Sequence, residues 1–342
     1  MRRRGVTVIL GALITALLAA GVMVAPLPYV VLKPGPTVNT LGSDNGTEVI
    51  QVKKGETSTS TGQLRLTTVN VQSQVELVWA IRGWLSGDDA VVPRELIYPP
   101  DQSEQQVQEQ NAQEWKQSQT SAETVALREL GHPVIPFVRK ITTGGPADGV
   151  LRVDDVITAV DGTKIERPGQ VAELIRAKPV GTALTVSYER GGKPGTAQVT
   201  SKTDGKDDTP RIGIEIGTKQ DDPFDIHIDL EKIGGPSAGL MFTLGIIDKL
   251  KPEDLTGGKI IAGTGTIDDD GNVGPIGGIP QKLVGAKDAG AELFLVPKDN
   301  CAEALRNAVP GLTMAEVATV DDALAALTAY TSGATPKPCS AA

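Results

Sequence analysis

Histidine and cysteine are scarce in this 342-residue sequence, which contains two of each. Cys301 and Cys339 do not have the spacing of metal ligands, and with only His132 and His227 beside them no zinc site can be assembled. The sequence also lacks the phosphate-binding pattern G-x-x-x-x-G-K-S/T, so this chain contains no P-loop ATPase. We therefore expect a protein that uses neither a metal nor a nucleotide as cofactor.

Positive charge is also limited, because 33 Lys and Arg residues stand against 42 Asp and Glu residues and the net charge is −9. No basic patch occurs outside the extreme N-terminus, which argues against a nucleic-acid-binding protein. The proportions of apolar residues, glycine and proline are ordinary for globular proteins. The length predicts two or three domains.

One long uncharged run is present, from Gly5 to Pro28, and three arginines, Arg2–Arg4, precede it. About twenty residues suffice to span a bilayer, and the arginines predict that the N-terminus lies inside. A cleaved signal peptide ending at Ala25 is the alternative, although Pro26 follows that site directly. We expect a single-pass transmembrane anchor over residues 1–28, with the N-terminus cytoplasmic and the bulk of the chain extracytoplasmic.

Residues 29–121 contain short alternating apolar segments followed by a stretch rich in Gln and Glu. Alternation is typical of half-buried strands, and a polar stretch is typical of a solvated helix or linker. The interpretation is a small β-rich segment with a polar helical linker. In an extracytoplasmic protein Cys301 and Cys339 could form a disulfide that fixes the Pro-rich tail over 332–342, with two free or buried thiols as the alternative.

The next segment contains a strand-like run, Val134–Val138, and the strings P-A-D-G, D-D-V-I and V-D-G between Gly145 and Gly162. These strings resemble the PDZ domains attached to bacterial envelope proteases. The resemblance implies a groove between a strand and a helix in which an extended peptide adds a strand. The candidate groove residues are Val134, Ile135 and Phe137.

The Gly-Leu-Gly-Phe loop of that family, which binds a peptide carboxylate, has no counterpart in the expected place. Leu130–Pro133 occupies that place, so recognition of a peptide C-terminus is open. A spacer without a peptide ligand remains an alternative for this segment.

In the last segment, strands and helices alternate, which predicts an α/β domain. The stretch Ile233–Ile247 begins with glycines and a proline and continues with apolar residues on nearly every side. A helix that is hydrophobic all round is buried, so Ser237 would lie at its N-terminus, where free N–H groups stabilise negative charge. Ser237 on its own could serve as a nucleophile, as part of a phosphate cradle or as a structural turn.

A second helix is predicted over Gly277–Ala289, and its helical wheel places Lys282 on the small, apolar face. Gln281, Lys287 and Asp288 fall on the opposite arc. Burial lowers the pKa of a lysine, and a neutral amine can act as the general base for a serine nucleophile. The alternative is a lysine whose stem packs while its ammonium group reaches the solvent.

Three motifs in this segment, G-P-S-A-G at 235–239, G-T-G-T-I at 263–267 and G-x-V-x-P-I-G-G at 271–278, precede Lys282. In order and spacing they resemble the proteolytic domain of Lon proteases. The whole arrangement is similar to the membrane-anchored Lon-like PDZ proteases of Gram-positive bacteria. The implied segments are a transmembrane anchor (1–28), a β-rich segment with linker (29–121), a mostly β PDZ domain (122–204), an α/β Lon-type proteolytic domain (205–331) and a tail (332–342).

The resemblance implies a catalytic dyad in which Ser237 is the nucleophile and Lys282 the general base, with Thr264 orienting the lysine. The turn before the serine, Gly234, Gly235 and Pro236, then forms part of the oxyanion and substrate site. Many Lon proteins have an acidic residue where this chain has Gly234.

His227 and Asp229 precede the serine, which raises a Ser–His–Asp triad as an alternative. In an extended strand, however, both side chains point the same way. His227 is therefore expected to line the substrate cleft.

The predicted function is an ATP-independent serine endopeptidase at the extracytoplasmic face of the membrane that cleaves unfolded or exposed peptide segments. Its expected partners are peptide or protein substrates, the membrane and further copies of itself, since Lon-type domains often form rings; no nucleic acid or nucleotide is expected. The alternatives are a non-catalytic membrane-tethered scaffold that binds peptides and, less favoured, an anion or nucleotide site at the Gly-Pro-Ser turn, where Lys232 is the one nearby cation.

Overall fold

The structure is a computed structural model that describes residues 2–24, 26–203, 205, 207–220, 223–230 and 235–340. The α-helices are α1 (Arg2–Val24), α2 (Leu77–Leu85), α3 (Glu104–Glu129), α4 (Gln170–Arg176), α5 (Gly239–Leu250), α6 (Ile279–Asp288), α7 (Cys301–Arg306) and α8 (Val320–Thr331). Short 3₁₀ helices cover Arg94–Leu96, Pro236–Ala238 and Lys298–Asn300.

The strands of the N-terminal part are β1 (Pro26–Leu27), β2 (Tyr29–Asn39), β3 (Ser43–Asp44), β4 (Thr47–Glu48), β5 (Ile50–Val52), β6 (Gln63–Gln72), β7 (Val75–Glu76) and β8 (Ala90–Pro93). The middle part contains β9 (Ile135–Ile141), β10 (Val156–Val160), β11 (Thr163–Lys164), β12 (Ala183–Arg190), β13 (Lys193–Thr200) and β14 (Ile214–Lys219). The C-terminal part contains β15 (Ile226–Ile228), β16 (Ile260–Gly263), β17 (Thr266–Ile267), β18 (Val273–Gly274), β19 (Leu293–Pro297) and β20 (Thr313–Val317).

The larger core lies on a six-stranded sheet with the order β20-β19-β16-β6-β2-β8. Its centre is parallel, since β16 pairs with β6 and with β19 in parallel register. The short apolar strand β16 needs a partner on each edge to satisfy its backbone, and one of these partners comes from the N-terminal part. Leu64 and Leu66 of β6 are buried in the same core as Leu240 and Leu244 of α5. Strands from both 29–121 and 205–331, which the sequence interpretation separated, therefore share one sheet.

The second sheet has the order β13-β12-β10-β9-β14 and its own core, which includes Val138, Ile157 and Leu184. The sequence interpretation assigned residues 212–216 to the α/β domain, but β14 pairs with β9 along its whole length. This smaller unit therefore extends past residue 204. It is an insertion in sequence, because β15 returns to pair with β5 of the N-terminal part.

Helix α3 connects the two units and is less solvated than its composition predicts. Its second half buries a stripe of mostly small residues, Ser118, Ser121, Ala122, Val125 and Ala126, at helical spacing. The ring of Trp115 contacts that of Phe242 on α5 edge-on, with centroids 5.3 Å apart. The predicted linker is therefore a packed element of the larger core.

The structure corrects the expectation of a transmembrane anchor. Among the residues that the structure describes, no helix is long and apolar enough to cross a membrane. The run is uncharged but not strongly apolar, because Thr7, Gly11, Thr15 and Gly21 within α1 contribute little to partitioning into hydrocarbon. The preceding transmembrane helix in the predicted fold class and the single-pass membrane localisation built on it are both wrong by this finding.

The C-terminal tail is joined to α7 by a disulfide between Cys301 and Cys339. It also follows the edge of β20, because the Glu316 N–H donates to the carbonyl oxygen of Lys337 at 2.9 Å. The Lys337 ammonium group pairs with the buried Glu316 carboxylate at 2.8 Å. Of the two alternatives for the cysteines, the structure therefore contains the disulfide.

Candidate active site

Ser237 lies in the 3₁₀ turn that leads into α5. Gly235 enters the turn with φ of 96°, a left-handed value that glycine tolerates. Every residue of α5 from Gly239 to Lys249 is buried, as the all-round apolar pattern predicts. A Cβ on Gly239 would lie 2.7 Å from Cγ2 of Ile267, so a larger residue would push the turn away from the β17–β18 hairpin. Ser237 is therefore held at the N-terminus of a buried helix.

Lys282 reaches the serine from α6. Gly278 precedes that helix as its N-cap, in a left-handed conformation (φ 74°), and Lys282 is 3% exposed. Its Nζ lies 2.9 Å from Oγ of Ser237. Lys287 lies on the other arc of the helix, where its Nζ donates to the carbonyl oxygen of Gly311. Gln281, which is predicted on the polar arc, is buried, because the loop at Asp88 covers it.

Thr264 follows β16 and completes a triangle of hydrogen bonds. Its hydroxyl donates to the carbonyl oxygen of Ser237 at 3.1 Å and lies 2.9 Å from Nζ of Lys282. A hydroxyl has one proton, so Thr264 must accept a hydrogen bond from the lysine. One N–H of the amine is thereby directed at Thr264, which leaves its lone pair available for the Ser237 hydroxyl.

The charge state of Lys282 follows from its surroundings. Burial lowers the pKa of Lys282 from 10.5 to about 7, because an ammonium ion loses its hydration in the interior. A displacement of that size corresponds to about 5 kcal/mol of lost interaction for the charged form. Near neutral pH a substantial fraction of the amine is therefore uncharged and basic.

A cleft of about 670 Å³ opens above this triangle. Among its described lining residues Lys282 is the one ionisable side chain, and none is a carboxylate. The lining comprises Pro36, Leu66, Thr67, Thr68, Val69, Asn70, Val71, Gly235, Pro236, Ser237, Ala238, Thr266, Pro275, Ile276, Gly277 and Lys282. The cleft therefore suits neutral and apolar side chains.

Strand β6 presents an edge to the cleft, and this feature had no counterpart in the sequence interpretation. Every residue from Leu66 to Val71 lines the cleft, whereas a strand seen face-on would contribute alternate residues. The pairing with β16 ends at Leu66. Beyond that point this edge of β6 has no paired strand in the described part of the sheet.

The direction of the free backbone groups follows from alternation along β6. The Gln63 N–H donates to Lys259 on the β16 side, and the Leu64 carbonyl oxygen accepts from Thr40 on the β2 side. Val69 and Val71 lie an even number of positions after Gln63, so their backbone groups point to the same side of β6 as those of Gln63. Their N–H and C=O groups therefore point toward the cleft.

Of the other residues predicted for this site, some line the cleft and others do not. Gly235 and Pro236 line the cleft, and Gly234 lies outside the described residues. His227 is exposed on β15, where it pairs with Gln51 of β5, and it is not among the cleft-lining residues. The expectation that His227 lines the cleft differs from this placement, because the pairing of β15 with β5 determines its position. A Ser–His–Asp triad is not assembled.

The predicted PDZ groove lies elsewhere in the structure. Strand β9, which contains Ile135 and Phe137, pairs with β10 on one edge and with β14 on the other. Val134 precedes the strand and is buried. A peptide cannot add to a strand whose two edges are already paired, so Val134, Ile135 and Phe137 do not form the groove.

The open edge belongs to β14, the last strand of its sheet. A groove of about 430 Å³ lies between β14 and α4. Its apolar walls are Ile212, Ile214, Ile216, Val171 and Ile175, and its lining also includes the basic residues Arg176, Lys202 and Arg211. The signal in the sequence is Ile212-Gly-Ile214, which has the apolar–glycine–apolar pattern of the carboxylate loop, at the end of the unit and not at its beginning.

Comparison with known proteins identifies two segments of the chain, and β14 falls in the second of them along the sequence. Residues 208–329 match the family model of the Lon protease (S16) C-terminal proteolytic domain, and residues 107–200 match that of the PDZ domain. Lon protease 2 of Bacillus subtilis is 35% identical over 114 residues, which are 32% of this chain and 20% of the relative. The Lon protease of Azospirillum brasilense is 38% identical over 107 residues, which are 29% of this chain and 13% of the relative.

A solved PDZ domain of an SdrC-like protein from Listeria monocytogenes has 30% sequence identity and a TM-score of 0.23, and the match covers 24% of this chain and 85% of that one. The matched part spans a fifth or less of the two Lon proteases named above. The Lon match includes Ser237, Thr264 and Lys282 but not Leu66–Val71 of β6, and the PDZ match includes every strand of the smaller sheet except β14. The chain therefore contains a proteolytic domain of the Lon type and a PDZ domain.

Proposed function

We propose that this protein is a serine endopeptidase in which Ser237 is the nucleophile, Lys282 the general base and Thr264 the residue that orients the base. The observation that carries the proposal is the buried amine of Lys282 at 2.9 Å from both hydroxyls. Its pKa of about 7 matches the requirement for a base at neutral pH. No P-loop sequence accompanies the site, and we propose that cleavage does not require ATP.

The reaction begins when neutral Lys282 takes the proton of the Ser237 hydroxyl as Oγ attacks the peptide carbonyl carbon. The lysine is then an ammonium ion, and it returns the proton to the leaving amine as the C–N bond breaks. An acyl-enzyme on Ser237 remains, and a water molecule deprotonated by Lys282 hydrolyses it. The N–H of Ser237, at the start of the turn into α5, is the proposed donor to the oxyanion.

The substrate is an extended segment that adds to the free edge of β6. The N–H and C=O groups of Val69 and Val71 offer main-chain hydrogen bonds, which do not depend on the sequence of the substrate. A folded protein rarely supplies several extended residues with free backbone groups. The substrate class is therefore an unfolded or exposed segment with neutral or apolar side chains near the scissile bond.

The PDZ unit supplies a second, non-catalytic peptide site. The open edge of β14 can pair with an extended peptide, and α4 closes the other side of the groove. The basic residues Arg176 and Lys202 favour a peptide that ends in a free carboxylate, while Arg211 pairs with Asp207 at 2.9 Å. This groove would hold a substrate or partner while the cleft cleaves it.

The decisive experiment is to incubate the whole protein with casein and with a library of neutral peptides. Wild type is expected to cleave both, while Ser237→Ala and Lys282→Ala lose activity by about 10³-fold or more. Lys287→Ala is the matched control, because this lysine lies on the same helix but outside the cleft. Equal turnover by wild type and both dyad variants would refute the proposal. Peptide binding without turnover by wild type would favour the non-catalytic scaffold.

A further inference from the structure

Ser118 on α3 contacts the turn that holds the proposed nucleophile. Its side chain is 3% exposed, and its hydroxyl donates to the carbonyl oxygen of Pro236 at 3.1 Å. Ser118 precedes the segment that matches the Lon proteolytic domain. The close approach of α3 depends on Gly239, where a Cβ would lie 2.9 Å from Oγ of Ser118.

This hydrogen bond fixes the orientation of the peptide group between Pro236 and Ser237. The described peptide bonds are all trans, and in a trans peptide the C=O and the next N–H point in opposite directions. Because the Pro236 carbonyl points at α3, the Ser237 N–H points away from α3. Pro236 and Ser237 line the cleft, whereas Ser118 does not.

The freed N–H is available to a ligand. Among the described residues outside its own turn, the Ser237 N–H has no backbone acceptor. The peptide group on the other side of the serine is fixed separately, since the Ser237 carbonyl oxygen accepts from Thr264 Oγ1 at 3.1 Å and from the Gly265 N–H at 3.0 Å. Both peptide planes that flank the nucleophile are thus fixed by groups outside the turn.

We infer that Ser118 is a positioning residue that directs the Ser237 N–H into the cleft as the oxyanion donor. The inference rests on the proposed function, because an oxyanion forms only if Ser237 attacks a carbonyl. Ser118 does not touch the substrate. Its hydroxyl acts through the Pro236 carbonyl, and without it the peptide plane is free to rotate and to withdraw the donor.

The test compares Ser118→Ala with Ser121→Ala. Ser121 is the matched control, because it lies one turn further along α3, is 2% exposed and donates to Asp269 at 2.6 Å instead of to the turn. Removal of an oxyanion donor lowers kcat by about 10² to 10³-fold, and misorientation of one is expected to lower it by about tenfold. We therefore expect Ser118→Ala to lower kcat about tenfold with KM nearly unchanged, and Ser121→Ala to leave both nearly unchanged.

A second readout separates positioning from simple packing. A peptide boronate forms a tetrahedral adduct on a serine and places an oxygen in the oxyanion site, whereas the cleaved product of the same sequence does not. Ser118→Ala is expected to weaken boronate inhibition about tenfold and product binding hardly at all, while Ser118→Cys, which retains a weak donor, recovers part of the loss. The melting temperatures of both alanine variants should fall by similar amounts, since each loses one buried hydrogen bond.

Equal losses of kcat in the two alanine variants, or equal weakening of boronate and product, would overturn the inference. Full activity in Ser118→Ala together with no activity in Ser237→Ala would overturn the inference alone and leave the dyad intact. Turnover that survives Ser237→Ala would overturn the proposed function and the inference with it.

Discussion

The cleft at Ser237 and the groove at β14 both place an open strand edge beside a helix, yet their side chains differ in kind. In the cleft, α6 contributes a buried lysine with a hydroxyl on each side, and none of the described lining residues is a carboxylate. In the groove, α4 contributes apolar residues, and the ionisable groups are basic. In the proposed function, the same main-chain recognition serves bond cleavage in the cleft and retention of a peptide in the groove.

The effect of the cleft on stability is clear when Lys282 is compared with a second buried lysine, Lys249 of α5. None of the described residues of the cleft lining is an acidic partner for the buried amine of Lys282, so its ionisation destabilises the folded state. Buried Lys249, in contrast, donates to the Ile50 carbonyl at 2.7 Å and to Glu48 at 3.2 Å. A buried charge without a partner destabilises the folded state. A buried charge that has a partner and satisfied hydrogen bonds does not. Such local destabilisation is typical of functional sites.

The largest effect that would sharpen this comparison is expected from Lys282→Met. The variant should lose peptidase activity by about 10³-fold or more and gain about 2–4 kcal/mol in the free energy of unfolding below pH 7, because the cost of the buried amine is removed. Denaturant unfolding at pH 6 measures the gain. Lys249→Met is the control and is expected to be less stable than wild type. A loss of stability in both variants would show that the two lysines are equivalent.

The pH dependence of that gain has a defined sign. The unfolded chain holds the Lys282 proton up to about pH 10.5, while the folded chain releases it near pH 7. Between these values the unfolded state binds more protons, so wild-type stability rises with pH. The advantage of Lys282→Met should therefore shrink from pH 7 toward pH 10.5.

The second prediction concerns the rate of cleavage. Since neutral Lys282 is the base, kcat/KM should fall about tenfold for each pH unit below 7 and level off above it. Initial rates with an uncharged peptide between pH 5 and 9 test this, with a parallel measurement of peptide affinity for the β14 groove in the Ser237→Ala variant. A flat rate profile, or a midpoint near 10, would contradict a buried base.

The cleft residues could be predicted because their signals are local. The glycine turn before Ser237, the apolar surface of α5 and the position of Lys282 on the small face of α6 each follow from spacing within one helix. Thr264 is assigned by resemblance, and the structure places its hydroxyl 2.9 Å from Nζ of Lys282.

Strand pairing between distant segments could not be predicted in the same way. Ile141 pairs with Ile214 and Leu66 with Gly263, and no local periodicity records which strand lies next to which. For this reason the open edges of β14 and β6, the position of His227 and the shared sheet of the two halves of the proteolytic unit were missed. The pairing of an edge is decided by the competition among all strands for partners, and this is a property of the whole chain.

A third prediction tests the groove without touching the cleft. Lys202→Glu should weaken binding of a peptide with a free C-terminal carboxylate about tenfold, because a charge-assisted contact of about 1.5 kcal/mol is lost. Lys193→Glu is the control, since Lys193 is an exposed residue of β13, at the opposite edge of the sheet from β14, and does not line the groove. Binding is measured by calorimetry, with an amidated peptide of the same sequence alongside. Equal affinity for the free and amidated peptides would argue against recognition of the carboxylate.

The smallest effect is expected where the two regions meet. Asp270, in the turn of the β17–β18 hairpin, accepts a hydrogen bond from the Gly169 N–H at 3.0 Å just before α4 and lies 3.7 Å from Arg167. The hairpin also contributes Thr266 to the cleft, so one short element contacts both the groove helix and the active site.

Because the Arg167–Asp270 pair is partly exposed and contributes about 1 kcal/mol at most, Asp270→Ala should weaken peptide binding to the groove about two- to threefold. Asp270→Asn keeps the acceptor for the Gly169 N–H and separates the hydrogen bond from the charge. If the hairpin transmits the change, the rate of cleavage of short peptides falls in proportion to groove affinity. If the rate stays constant while groove affinity falls, the cleft and the groove act independently, and their likeness is limited to the open strand edge that each one offers.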